Sequence, residues 1–342
     1  MSTPAIENMD IPGDYAIFGR EYVKINDNVR CYNTQTESNS YCNIASADED
    51  IFSYGVSYTP LSIGARAHVG NVDFVSNPID KAYPNKREKA IARSSAVVHG
   101  NVNAFAFSIS NDDLKKYDGD LEMILKTHDI SECFSRQNGS LIQGSVNLHF
   151  FRHWPYGLIF AYSIDMPEIP KSKNKIVQNG EIYHLKDREL LNSLTIQAGG
   201  TLIIEPGRMF VESLLQIDAG ATIRFAEPGR ETVLHTNGKI IWNTYNSEPV
   251  SNTQYWVSVA KGFKLVHHSS QRFFLDGMWA GTIYAPIASV TMGQVSKAVY
   301  GRVLARNVVV HQFAKFYRVD FAPKDAMQVA YGRHGPLVSD LF

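Results

Sequence analysis

Internal repetition at intervals of about twenty residues constrains this chain more than any other feature of its sequence. The segment Leu194–Gly207 recurs from Leu215 onwards, with an offset of 21 residues. Further along, a segment that begins Gly281-Thr-Ile-Tyr-Ala-Pro recurs from Gly301, with an offset of 20 residues. Repeats of this length are supersecondary units that bury a continuous core when they stack on one another.

Each repeat contains two short apolar-polar segments that are separated by a corner containing glycine. Leu194, Ile196 and Ala198 alternate with polar residues, which is the period of a pleated strand with one buried face. The second pair of repeats aligns Val290 with Val310. We therefore predict an all-β fold, a right-handed parallel β-helix (solenoid) in which each repeat forms one coil.

Less similar copies of the repeat occur in the first hundred residues. The segments His68–Val72 and Val98–Val102 share the phrase Gly-Asn-Val at an offset of 30 residues, which indicates a coil with an inserted loop. Tyr15–Val29 contains another strand, corner and strand pattern. The sequence therefore predicts coils near both ends of the chain.

The pattern fades in the middle of the chain and again after residue 322. Residues 110–180 are expected to form an inserted mixed segment and linker, with at least one short helix in Asp112–His128. Residues 1–109 and 181–322 would form the N-terminal and main β-helix coils. Residues 323–342 would form a capping tail, because a terminal coil without a cap exposes unpaired strand edges.

Charge and hydropathy exclude several classes of protein. The chain has 33 basic and 34 acidic residues, so its net charge of −1 offers no basic excess for nucleic acid. The first residues lack the basic and apolar regions of a signal peptide. The longest apolar run, around Leu158–Ile164, is too short to span a bilayer, and no transmembrane segment is predicted.

The three cysteines are Cys31, Cys42 and Cys133. Cys31 and Cys42 flank a polar loop, Asn33–Asn39, and the sequence leaves open whether they close it as a disulfide or remain free thiols. There is no Cys-x-x-Cys pair, so a structural zinc site is not expected.

Histidine offers no convincing metal site. His149 and His153 would share one face of a strand, but their Cα atoms would lie roughly 13 Å apart, too far for one ion. The chain also lacks a phosphate-binding loop, a dinucleotide fingerprint and a nucleophile elbow. We therefore expect no cofactor and no metal ion, and assign no catalytic residue.

Aromatic residues crowd a loop-like stretch between residues 242 and 256. Sugars bind proteins by stacking on exposed aromatic faces beside polar side chains, so this stretch is a candidate carbohydrate site. The alternative is that the rings pack the loop against the body of the protein. The candidate ligand-binding residues are Trp242, Tyr245, Asn246, Asn252, Tyr255 and Trp256.

The order of these motifs resembles a β-helical domain of unassigned function found in bacterial pilus-associated and secreted surface proteins. The resemblance rests on the Leu-x-Ile-x-small-Gly pair from Leu194, on Gly238-Lys-Ile-Ile, and on the segments from Gly281 and Gly301. It covers about residues 15–105 and 180–320. It implies export to the cell surface or the extracellular space, and it supplies no catalytic residues.

The expected function is therefore that of a non-enzymatic bacterial cell-surface or appendage protein, used for adhesion or structural assembly. Its partner would be a glycan or another surface protein. Two alternatives stay open at this point. One is a polysaccharide-active enzyme, a lyase or glycoside hydrolase, with its site on a β-helix face. The other is a self-assembling scaffold in which coils of successive copies stack end to end.

Overall fold

Short parallel strands make up most of the described chain. The computed structural model describes residues 14–34, 37–47, 60–76, 90–106, 116, 123, 133–150, 169–243, 252–293 and 297–323.

The strands of the first half are β1 (Tyr15–Ile25), β2 (Arg30–Tyr32), β3 (Asn43–Ser46), β4 (Leu61–Ile63), β5 (His68–Val69), β6 (Val72–Ser76), β7 (Ala90–Ala92), β8 (Val97–Val98), β9 (Val102–Ala106), β10 (Phe134–Arg136), β11 (Leu141–Ile142) and β12 (Val146–Phe150). The second half contains β13 (Asn174–Val177), β14 (Ile182–Leu185), β15 (Leu190–Ile196), β16 (Thr201–Ile204), β17 (Gly207–Ile217), β18 (Thr222–Phe225), β19 (Thr232–Thr236), β20 (Lys239–Trp242), helix α1 (Thr253–Gly262), β21 (Phe263–His267), β22 (Phe273–Leu275), β23 (Trp279–Met292), β24 (Ala298–Val310) and β25 (Lys315–Arg318).

The repeats pair side by side, as their offsets predict. Leu194 lies beside Leu215 in the parallel pair of β15 and β17. In the first half, Val72 lies beside Val102, so the two Gly-Asn-Val phrases are neighbours. These pairings are confirmed, because identical side chains on adjacent parallel strands pack against each other in one core.

The predicted alignment of Val290 with Val310 is wrong by two residues. In the pair of β23 and β24 the register shifts between Ala285 and Ser289, so that Val290 lies beside Val308. Val310 lies beside Met292 instead. A local irregularity of this kind leaves no trace in a repeat alignment, because both registers place an aliphatic residue in the core.

The prediction of a right-handed parallel β-helix is wrong for this chain. The structure contains a closed parallel barrel of six strands and a large sheet of 22 strands, with a further sheet of three strands, β14, β16 and β18. Within the barrel, β17 pairs with both β19 and β20, and β23 pairs with both β21 and β22. Because β19 also pairs with β21 and β20 pairs with β22, the six strands form a closed ring.

The physical reason is that some glycine corners do not end a strand. Gly281 lies within the 14 residues of β23, and Gly301 lies within the 13 residues of β24. Their φ angles are 144° and 140°, which an L side chain rarely adopts, and each strand continues through its glycine. β23 changes its partner from β21 to β22 between Tyr284 and Val290, where its register with β24 also shifts. One continuous strand therefore pairs with two strands of its neighbour, and the separate faces expected of coils fuse into one sheet.

A long ladder of hydrogen-bonded strands joins the two halves of the chain. It passes from β13 through β15, β17, β20, β22, β23, β24, β1, β4 and β7 to β10. At its centre β1 pairs with β24, although the paired residues are almost 290 positions apart in the sequence. Strand β2 pairs with β25 in the same way. The two halves therefore share one ladder.

Helix α1 follows β20 and packs against β21, β23 and β24. Asn252 caps it, with its side-chain oxygen accepting a hydrogen bond from the Tyr255 N–H. Its buried face carries Trp256, Val259 and Ala260, and Lys261 lies in its last turn. The helix end therefore sits against the central strands of the ladder.

Apolar residues are buried on both sides of the central strands. The main core includes Ile17, Leu61 and Phe74, which are completely buried. A second cluster contains Phe18, Tyr284 and Leu304, which are register neighbours on β1, β23 and β24. Burial on both faces explains why these strands carry nearly continuous hydrophobic runs.

The segment expected as an insert, residues 110–180, differs from its prediction. Strands β10, β11 and β12 lie inside it and continue the sheet by pairing with β7, β8 and β9. Lys116 and Met123, inside the predicted helix Asp112–His128, are helical, and the rest of that range lies outside the described residues. The predicted capping tail, 323–342, also lies outside them except for residue 323.

The edge strand β13 carries a lysine at an inward position. Lys175 lies beside the buried Leu194, and its Nζ is 5.1 Å from the centre of the Tyr183 ring. Inward-facing charges on edge strands oppose edge-to-edge pairing between molecules. This placement argues against end-to-end self-assembly of the chain.

We expect the substitution Lys175→Ile to promote self-association, because it replaces the inward charge with an apolar side chain at an unpaired edge. Sedimentation velocity over a range of concentrations measures the effect as an increase in average mass relative to the wild type. Lys173→Ile is the matched control, since Lys173 is exposed and precedes the strand. Equal masses for Lys175→Ile and the control would contradict this role for Lys175.

Candidate ligand-binding cleft

The two tryptophans predicted to bind sugar belong to the core. Trp242 is 3% exposed and Trp256 is 1% exposed. Trp242 packs edge-on against Trp279, with ring centres 5.1 Å apart. Neither indole face is open to a sugar ring, so the interpretation of these rings as core packing fits the structure.

The other predicted site residues do not form a platform either. The Tyr255 ring packs against the core, and its hydroxyl oxygen accepts a hydrogen bond from the Phe225 N–H at 3.3 Å. Asn252 is the helix cap. Tyr245 and Asn246 lie outside the described residues. Trp242 and Trp256 are therefore residues of the main core, and the partly buried Tyr255 packs against that core.

Cys31 and Cys42 form a disulfide, with their Cα atoms 5.3 Å apart. The Cys42 N–H also donates a hydrogen bond to the Cys31 carbonyl at 2.7 Å. The bond closes residues 32–41 into a loop, called here the disulfide loop. Cys133 is buried.

Stacked tyrosines hold the base of the disulfide loop. The Tyr32 ring lies between the rings of Tyr41 and Tyr317, at centroid distances of 5.6 and 5.3 Å. Tyr300 stacks on Tyr317 at 4.7 Å. Burial raises the pKa of the Tyr32 and Tyr317 hydroxyls above the usual range, so these rings stay neutral and serve as packing surfaces.

A cleft of about 740 Å³ opens where the disulfide loop meets the end of α1 and the residues after β25. This volume lies within the range of pockets that hold small ligands. The lining residues come from three distant parts of the sequence: Asn33, Thr34, Lys261, Arg318, Val319, Asp320 and Ala322.

Arg318 anchors the wall of the cleft. Its guanidinium donates to the Asp14 carbonyl at 3.0 Å and to the Asn33 side-chain oxygen at 3.1 Å. It also reaches both Asp320 carboxylate oxygens, at 3.2 and 3.3 Å, and its side chain is only 14% exposed. A guanidinium held by several acceptors at once keeps a fixed orientation.

A second arginine lies behind the first. The Arg302 side chain is 8% exposed, and its Nη1 is 3.5 Å from the Asp320 carboxylate. Its Nε donates to the Tyr15 carbonyl at 2.8 Å. Asp320 is therefore shared by Arg302 and Arg318, which positions the carboxylate. Asp14 also pairs with Arg318, so the two arginines are balanced by two carboxylates.

Two lysines at the C-terminal end of α1 and just after it add positive charge to this region. Lys261 lines the cleft and forms no ion pair within the described residues, and its carbonyl accepts a hydrogen bond from the Ala322 N–H at 2.8 Å. The Lys264 ammonium lies 4.4 Å from the centre of the Phe321 ring. Four cations thus surround two carboxylates, those of Asp14 and Asp320, and the region attracts anions.

The described residues contain no group of three His, Cys, Asp or Glu side chains that could hold a metal ion. His149 packs on Phe105, with ring centres 5.1 Å apart, and His153 lies outside the described residues. His267 is buried and His268 is partly buried.

Sequence reasoning missed the cleft because its residues are separated by up to 289 positions, from Asn33 to Ala322. One local signal was present. Arg318 and Asp320 are two residues apart at the end of a strand, which places both side chains on the same side of the chain. The sequence also shows that the disulfide loop is polar, but nothing in it indicates that β2 and β25 are neighbours.

The chain matches no protein-family model, no curated protein and no solved structure. In the part of the chain that the structure describes, no helix has both the length and the hydropathy to cross a bilayer.

Proposed function

We propose that this chain is a non-enzymatic adhesive protein of the bacterial cell surface or of an appendage, and that the cleft binds an acidic saccharide. The observation that carries the proposal is Lys261, which forms no ion pair within the described residues and lines a cleft of about 740 Å³ beside the Arg318 guanidinium. The protein itself holds all five N–H groups of Arg318, so Lys261 is the cation that would bind a carboxylate, and the polar wall with Asn33 suits sugar hydroxyls.

The contacts of the carboxylates favour binding over catalysis. Asp320 accepts hydrogen bonds from Arg318 and lies within 3.5 Å of Arg302, while the Asp14 carboxylate lies 3.4 Å from Arg318. A general acid or base must exchange a proton with the substrate. Carboxylates that are held by arginines act here as anchors that fix the guanidinium.

The disulfide supports a location outside the cytoplasm. Disulfides persist in oxidising compartments and are rare where thiols are kept reduced. The bond between Cys31 and Cys42 fixes a wall of the cleft, so reducing conditions would loosen the site itself. Together with the resemblance to surface proteins, this supports export.

Isothermal titration calorimetry with a galacturonic acid tetramer tests the proposal. We expect the wild type to bind the tetramer, and to bind it more weakly as salt is added, because ions screen exposed charges. A neutral maltotetraose should bind far more weakly. The variant Lys261→Gln should lose about fivefold in affinity, roughly 1 kcal/mol for one exposed charge pair.

Lys239→Gln is the matched control, because Lys239 is exposed on β20 and does not line the cleft. Its affinity should equal that of the wild type. Equal affinity in all three proteins, or no binding by the wild type, would contradict the proposed site. Release of new reducing ends or unsaturated products from the tetramer would show an enzyme instead.

A further inference from the structure

A second polar groove runs along a corner of the sheet, away from the cleft. Successive chain turns at residues 27–28, 65–66, 94–95, 138–139 and 312–313 lie next to one another there, since the strands that precede them are paired. The groove has a volume of about 380 Å³. Its lining is mostly polar: Lys24, Ile25, Asn26, Asp27, Ser62, Gly64, Ala65, Arg93, Ser94, Gln137 and Gln312.

Ser62 lines this groove with a buried hydroxyl that has no hydrogen-bond partner among the described residues. The residue is 7% exposed, and its Oγ forms no hydrogen bond within the structure. A buried hydroxyl without a partner destabilises the folded state, so native proteins contain few of them. The groove supplies the space from which a bound group could satisfy this one.

Two cations flank Ser62 from neighbouring strands. Lys24 is its register partner on β1, and Arg93 follows directly after the partner of Ile63 on β7. Both are exposed, and neither forms an ion pair within the described residues. The acidic residue of the groove, Asp27, is already engaged by the Ala65 N–H at 2.8 Å.

We infer that this groove binds a small oxyanion, either a free inorganic ion or the sulfate or carboxylate group of a saccharide. The Ser62 hydroxyl would donate to one oxygen, and Lys24 and Arg93 would balance the charge. The Gln137 side-chain oxygen accepts from the Ser94 N–H at 3.2 Å, which holds the far wall in place. The inference is independent of the cleft, which shares no residue with this groove.

Inorganic sulfate is the first probe. Calorimetric titration with sodium sulfate, at ionic strength held constant with sodium chloride, should show one binding site in the wild type. Ser62→Ala and Arg93→Gln should each weaken sulfate binding at least fivefold. Thr282→Val is the matched control, because Thr282 also has a buried hydroxyl without a partner but lies outside the groove.

Each outcome separates the alternatives. Sulfate binding that is equal in the wild type and in both groove variants would place the ion elsewhere and overturn the inference. No sulfate binding, with galacturonate monomer also failing to bind, would show that the groove holds only water. Galacturonate binding that survives Lys261→Gln but is lost in Ser62→Ala would identify the saccharide group as the source of the oxyanion.

Discussion

At pH 5.0 the free energy of unfolding is expected to be lower than at pH 7.5. Three neighbouring histidines, of which His235 and His267 are buried and His268 is partly buried, contribute about 2 kcal/mol each to that decrease, about 6 kcal/mol together. His235, His267 and His268 lie on and just after β19 and β21. His235 is fully buried and His267 is 1% exposed. The effect should appear in urea denaturation followed by circular dichroism.

The packing of these imidazoles leaves little room for charge. The His235 ring lies between Phe210 and His268, with centroid distances of 4.7 and 5.3 Å. Its Nδ1 is 3.0 Å from the His268 Nε2, so the two rings share one hydrogen bond and cannot both be protonated there. His267 contacts the Thr236 hydroxyl at 2.9 Å and the Gln271 carbonyl at 3.2 Å.

Burial lowers the pKa of His235 to about 3, and those of His267 and His268 to about 4, from the ordinary value of 6.5. The neighbouring His268 and Arg208 charges lower the pKa of His235 further. The unfolded chain therefore takes up protons first as pH falls. The stability from neutral burial is complete above pH 6.5 and is lost between pH 6.5 and about 4.

His235→Phe should reduce the difference between pH 7.5 and pH 5.0 by about 2 kcal/mol, since it removes one titrating group and keeps the stacking. The control Phe210→Leu should leave the difference unchanged, because it alters the same ring stack but removes no titrating group. Equal stability of the wild type at the two pH values would contradict the buried neutral state of these histidines.

Gly301→Ala is expected to destabilise the fold by about 4 kcal/mol, at the upper end of the range for single substitutions. A Cβ atom at this position would lie 2.0 Å from the Gly281 carbonyl oxygen, which belongs to the paired strand. Neither backbone can move away without breaking the ladder between β23 and β24. Thermal unfolding should show a large decrease in Tm.

Gly180→Ala provides the matched control. Gly180 also has a positive φ, 79°, but a Cβ there would meet nothing within 4 Å. Its cost should therefore be limited to the left-handed backbone, about 1 kcal/mol. A loss of stability in Gly301→Ala no greater than in Gly180→Ala would show that β23 and β24 do not approach as closely as the structure indicates.

The local pairings could be predicted from the sequence, because identical residues at matching positions stack. Leu194 beside Leu215 and Val72 beside Val102 follow from the repeats alone. The fold class could not be predicted from the sequence, because the same glycine pattern is compatible with a corner between two strands and with a position inside one continuous strand. Gly281 and Gly301 lie within continuous strands, and β23 changes its partner only after Tyr284, which depends on the neighbouring strands.

The site could not be predicted because it depends on the pairing of β1 with β24 and of β2 with β25. That pairing brings Asn33 to Arg318, and no repeat connects these two segments. The prediction of a carbohydrate site on the aromatic residues differs from the structure for another reason. Trp242 alternates with Ile240 on β20 and so points into the core, a pattern that was visible in Lys239–Trp242.

Hydrogen–deuterium exchange with and without saturating galacturonic acid tetramer tests the central claim, the ligand-binding cleft, most directly. The account predicts slower exchange in peptides that contain Asn33 and Thr34, Lys261, and residues 318–322, with little change in β13–β16. Slower exchange confined to other parts of the chain, or no change in any peptide, would contradict it.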